Sequence, residues 1–173
     1  MMKTEKNLYK GLKWVFGFMT AVMGTVSVAA LLVWLLTKLP VFTEAIASAD
    51  ISELPFGANT LKIISSPVLV LSLVANFALY GAVCYFARKF FKNLENEEIF
   101  VAENVKTAKK IAALMLVLAV ASTLPDTVAH ASQLIGDSSF LDVTYVVVAA
   151  IVWALSKILE KANQIAEENE MTI

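Results

Sequence analysis

Four apolar stretches, Trp14–Leu36, Ile63–Ala87, Ala108–Leu124 and Phe140–Leu155, run through the chain without an acidic or basic residue at their centres. A bilayer core of roughly 30 Å takes about 20 helical residues at about 1.5 Å rise. The first two stretches reach that length alone. The third and fourth reach it with flanking residues, because the stems of Lys106, Lys109 and Lys110 can snorkel and Leu155 to Leu159 extend the last helix. The spans are therefore expected at 14–36, 63–87, 105–124 and 140–159. A soluble domain of 173 residues, 58% hydrophobic and 17% charged, has no core that could hide four such helices. The expected fold is an all-α integral membrane protein, one domain over 1–173 with four transmembrane helices in a bundle and a helical tail at 156–173.

The basic residues set the expected orientation, since lysine and arginine near span ends resist translocation. Lys3, Lys6, Lys10 and Lys13 precede the first span; Arg88, Lys89, Lys92, Lys106, Lys109 and Lys110 surround the second connection; Lys157 and Lys161 follow the fourth span. The other two connections hold only Lys38 and Lys62, beside Glu44, Asp50, Glu53, Asp126, Asp137 and Asp142. Twelve of the fourteen basic residues thus share one side. That side is expected to be cytoplasmic, with both termini on it. The formal net charge of −1 conceals this separation. The first apolar run, lacking a small-residue cleavage pattern after it, reads as a signal anchor. Cys84, the one cysteine, lies inside the second span and cannot close a disulfide within the chain.

The connections carry local order of their own. Pro40, Val41, Phe42, Ala45, Ile46 and Ala49 fit a short interfacial helix. Leu54 to Gly57 then read as a turn before Asn59 or Thr60 starts the second span. Pro125 is expected to end the third span, with a further helical turn from Thr127 to Leu134 before Gly136. On the basic side, Asn93 to Glu98 supply a polar turn and Ile99 and Phe100 lead into a helix with Glu103 in its first turn, where a carboxylate suits the helix dipole. After the fourth span, Ile158, Leu159, Ala162, Ile165 and Ala166 recur at helical spacing, opposite Glu160, Lys161, Asn163 and Glu167. The last helix is expected to continue past the membrane with one adhesive face.

Two short motifs carry a resemblance. The chain closes on Ala162, Ile165, Glu168, Asn169, Glu170, Met171, Thr172 and Ile173, and leads into its third span through Ile99, Phe100, Glu103 and Asn104. Both resemble the YoaS-like family of small bacterial four-span membrane proteins of unknown function. Val101 stands where that family commonly has a capping threonine, so a side-chain cap is not expected there. The resemblance implies a multi-pass protein of the bacterial cytoplasmic (inner) membrane. It also implies a partner, because such proteins are often encoded beside a small Cro/CI-like helix-turn-helix regulator.

The residues that could carry chemistry are few. Ser72, Asn76 and Tyr80 stand four apart in the second span, with Cys84 and Arg88 continuing the row, and an amide at mid-bilayer needs a partner. This intrabundle polar row fits interhelical hydrogen bonding better than a solute site. Gly17, Ala21 and Gly24 permit close helix approach in the first span. His130, with Asp126 and Asp137 near it in sequence, offers too few ligands for a zinc site, so no metal and no cofactor is expected. No carboxylate is expected deep within a span, Asp142 standing at the edge of the fourth, and the chain has no GxSxG, HExxH or P-loop pattern, so no catalytic residue is assigned and an enzyme is not expected.

Two functional classes follow. In the first, the chain is a membrane-embedded interaction or regulatory protein, tethering a helix-turn-helix regulator through Phe100, Glu103, Asn104, Glu168, Asn169, Thr172 and Ile173 without contacting nucleic acid itself. In the second, it is a small transporter, channel-like or immunity-type protein acting through the bundle. Concentration of motif residues on the basic side favours the first. A homo-oligomer is compatible with either.

Overall fold

The computed structural model describes residues 3–48, 59–133 and 138–170. They form seven helices: α1 Lys3–Leu36, α2 Pro40–Ser48, α3 Thr60–Ser65, α4 Pro67–Glu95, α5 Ala102–Ala121, α6 Leu124–Ala131 and α7 Val143–Glu170. Four stretches, containing α1, α4, α5 with α6, and α7, are long and apolar enough to cross a membrane. The chain is a multi-pass, all-helical membrane protein. The predicted helix at Pro40 is present as α2, whereas Leu54 to Gly57 and Leu134 to Asp137 lie outside the described residues.

One span is broken where the sequence reading made it continuous, and another ends a few residues before the expected stop. Pro67 disfavours helical geometry at the residue before it, and Ser66 is extended at φ −74°, ψ 115°. The second apolar stretch therefore starts as short α3, stops at Ser65, and restarts at Pro67 with Ser66 Oγ accepting from Leu69 N at 3.4 Å. In the third, the interruption falls at Ser122 and Thr123, before Pro125 rather than at it. Pro125 lies in the first turn of α6, where a missing N–H costs nothing.

The main pairings are serial: α1 lies along α4, α4 along α5, and α5 along α7, while α6 rests on α4. Burial follows that order. None of the apolar window of α1 is buried inside the protein, against 33% for α4 and 28% for the α5–α6 stretch. The protein core is accordingly Leu69, Val70, Val83, Ala108, Ala112 and Leu118 with their neighbours, contributed by the two central helices. Alanines at the α5 positions let helix backbones approach closely, which is how helices associate where lipid removes the hydrophobic advantage of large side chains. Rings fix α1 to α4: Phe16 stacks on Phe91 with centroids 5.5 Å apart, and Lys13 Nζ reaches Glu95 Oε2 at 2.5 Å.

Candidate interaction face and intramembrane polar groups

The connection from α4 to α5 is folded by hydrogen bonds rather than by apolar packing. Helix α4 ends in a Schellman arrangement: Glu98 N donates to Asn93 O at 3.0 Å and Glu97 N to Leu94 O at 3.1 Å. Glu97 takes the left-handed turn at φ 68°, a position that usually favours glycine. Asn104, fully buried, then ties the loop shut. Its Nδ2 donates to Glu98 O at 2.7 Å and Ile99 O at 2.9 Å, while its Oδ1 accepts from Asn93 Nδ2 at 2.8 Å. Val101 caps α5 without a side-chain hydrogen bond, as its identity predicts.

The residues of the loop motif consequently divide in role. Asn104 has no surface to offer and positions its neighbours. Glu103 is paired, its Oε1 2.6 Å from Lys89 Nζ, which braces α5 against α4. Phe100 is presented outward, 57% exposed.

Two residues beyond Phe100, Ala102 forms part of a crevice of about 240 Å³ between the start of α5 and the end of α7, with Val105, Lys106, Lys109, Asn163 and Glu167 around it. Lys109 Nζ bonds Glu160 Oε1 at 2.7 Å and links the two walls; Lys157 also reaches Glu160, at 3.0 Å. The tail helix faces this crevice differently from the sequence reading. Asn163, placed there on the polar side, is only 7% exposed, whereas Ile158 and Ile165 are 65% and 52% exposed. Ser156 and Asn163 are seven apart and so share one face within about 20°. Small polar side chains on that face allow α7 to approach α5, and the isoleucines are turned away. Asn163 Oδ1 is buried without a hydrogen-bond partner among the described residues. Sequence reading missed Asn163; the signal was its spacing from Ser156, hidden by the apolar alternation beside it. Glu168 is exposed on the last turns of α7, Asn169 belongs to the same helix, and Thr172 and Ile173 lie outside the described residues.

Within the membrane, the polar row does not occupy one face. Steps of four residues precess by about 40° each on an α-helix, so Arg88 is turned about 120° from Asn76. Asn76 points at α5, its Nδ2 donating to Ala121 O at 2.7 Å and to Ser72 O at 3.1 Å. Ser72 Oγ donates to Leu69 O at 2.8 Å within α4. Tyr80 points at α7, its hydroxyl 2.5 Å from that of Tyr145. Cys84 is buried, and Arg88 turns to α1, where a Cβ at Gly17 would stand 3.3 Å from its Cδ and Nε. Asn76 Oδ1 and Ser122 Oγ are buried without partners among the described residues. His130 is exposed on α6, and among the described residues no three His, Cys, Asp or Glu side chains come together as a metal cluster.

The architecture defines the class, a multi-pass helical membrane protein whose basic end carries a connection tied by buried hydrogen bonds. Residues 2–173 match the family described as a protein of unknown function, DUF2975, and the chain belongs to that family. No curated protein and no solved structure matches it.

Proposed function

We propose that the chain is a membrane-embedded interaction protein of the bacterial inner membrane that holds a cytoplasmic partner on its lysine-rich end, of the YoaS-like kind in which a small helix-turn-helix regulator is the natural candidate. The observation that carries the reading is the contrast between two exposed features, Phe100 and, starting two residues after it at Ala102, a crevice with an unpartnered Asn163 Oδ1, and the hydrogen bonds of Asn104 that hold the connection between α4 and α5. An aromatic ring next to buried, directional polar groups is the usual make-up of an interaction anchor. Glu167 adds negative charge at the crevice, suited to the basic surface of a DNA-binding protein and therefore competitive with DNA. The test is copurification from solubilised native membranes. Truncation after Ala166, and separately Phe100→Ala, release the helix-turn-helix partner while the membrane domain stays folded; retention by both variants rejects the proposal.

The alternative, action through the bundle as a small transporter or channel-like protein, has one observation in its favour: the unpartnered Asn76 Oδ1 and Ser122 Oγ inside the span region. Asn76→Leu separates the two readings. It abolishes function under the second and leaves partner retention intact under the first. The assumed orientation is checked by cysteine labelling at Ser48 and Asn96 in a Cys84→Ala background, with Ser48 reached from outside and Asn96 only after permeabilisation.

A further inference from the structure

At the basic end, α1 and α4 leave a cavity of about 430 Å³ between them, formed by Lys13, Trp14, Gly17, Ala21, Arg88 and Lys92. Its size falls within the roughly 300–1,000 Å³ of ligand-binding clefts. Lys13 is already neutralised by Glu95. Arg88 and Lys92 are not: no described carboxylate pairs with either of them. Arg88 lies against the backbone of α1 at Gly17, three residues inside Trp14 and hence level with the beginning of the apolar run. A guanidinium at that depth, exposed on the outside of the protein, is stabilised by an anion. Ala21 also lines a shallow trough of about 520 Å³ along α1, which runs past Gly24, Thr25, Val28 and Ala29 to Leu32. The eleven helical steps from Ala21 to Leu32 cover about 16 Å. That is close to one leaflet of hydrocarbon, roughly 15 Å.

We infer that this cavity and trough bind one anionic phospholipid, its phosphate on Arg88 and Lys92 at the membrane interface beside Trp14 and one acyl chain lying along Ala21 to Leu32. Charge selects this occupant over a second copy of the chain, because two copies meeting on the same patch would set Arg88 and Lys92 against their own counterparts. Basic pockets between helices at a charged membrane surface take anionic headgroups for the same reason. The site is distinct from the partner-binding face, which lies on α5 and α7.

Trp14 supplies the probe. The full chain carrying Trp34→Phe and Trp153→Phe retains Trp14 alone and is reconstituted in phosphatidylcholine with a small fraction of phosphatidylglycerol brominated on its acyl chains. Trp14 fluorescence is quenched by brominated phosphatidylglycerol well beyond the same fraction of brominated phosphatidylcholine. Each basic residue enriches the anion roughly fivefold, so Lys92→Gln and Arg88→Gln each lower the preference by about that factor. Exposed Lys106→Gln on α5 leaves it unchanged, and Gly17→Leu, which displaces the Arg88 stem, weakens it without removing a charge. Equal quenching by the two lipids overturns the inference. So does a preference that Lys106→Gln lowers as much as Lys92→Gln, which is a generic surface potential. Displacement by millimolar inorganic phosphate overturns it in favour of a soluble anion. Quenching that falls as protein is concentrated in the bilayer, with crosslinking between copies at Phe18, overturns it in favour of self-association.

Discussion

Asn104 and Asn76 are both buried asparagines on the central helices, 0% and 5% exposed, yet they are used in opposite ways. Asn104 spends both donors and its acceptor on the α4–α5 connection. Asn76 spends its donors, one on its own helix and one on Ala121 O of α5, and leaves Oδ1 without a partner among the described residues. The difference teaches that a polar side chain can be fully committed to a loop that must hold one shape. In the span it serves as a single strut between helices. The amide sealed to completion is the one near water, where any opening would be filled by solvent; the one with a spare acceptor is where water is scarce and an unmet group costs most.

The strongest way to break this comparison is Asn104→Ala. It removes three hydrogen bonds at a fully buried position and is expected to cost about 2–3 kcal/mol, with hydrogen exchange rising across Asn93 to Glu103. An unchanged exchange pattern there removes Asn104 from its role. Asn76→Leu is smaller, about 1 kcal/mol in denaturant titration of the reconstituted protein. The lost Ala121 contact is partly offset, because an unmet Oδ1 disappears with it. A loss larger than that of Asn104→Ala would invert the comparison and point to a bound group at Oδ1. Ser122→Ala sharpens it further, since a hydroxyl with no partner gives up nothing on removal; the expected change is within about 0.5 kcal/mol and of either sign. The least effect is expected from Lys89→Gln with Glu103→Gln, an exposed pair whose removal leaves stability unchanged within error.

Much of the fold was legible because lipid makes demands that composition answers directly. Uncharged stretches mark the spans, and the helix after Pro40 and the continuous last helix follow from periodicity. The breaks were harder. Pro67 and Pro125 are in plain view, but a proline tells only that the chain bends nearby; Ser66 bends just before one, whereas Ser122 and Thr123 bend before the other. The site was less legible for a geometric reason. Spacing by four suggests a single row, but precession sends Asn76, Tyr80 and Arg88 to three different neighbours. On α7 the isoleucines looked like the packed side, and close approach of two helices instead selected Ser156 and Asn163. Asn104 looked like a contact residue because its motif is short and polar. Its partners include two backbone carbonyls, which no pattern of side chains announces.

The serial arrangement of α1, α4, α5 and α7 also has a mechanical meaning. A closed ring of helices shares any load among all its members, but a row transmits it stepwise. A pull on α7 by anything seated at the crevice reaches α5 directly through Lys109 and Glu160, reaches α4 both by the Tyr80–Tyr145 contact and through α5 by Asn76 and the Asn93–Asn104 link, and reaches α1 chiefly through α4, by the Phe16–Phe91 stack and Lys13–Glu95. The protein is in this sense a chain of couplings that runs from the helices of the crevice to a helix whose apolar window is covered by none of the protein, and α1 is the member free to respond last.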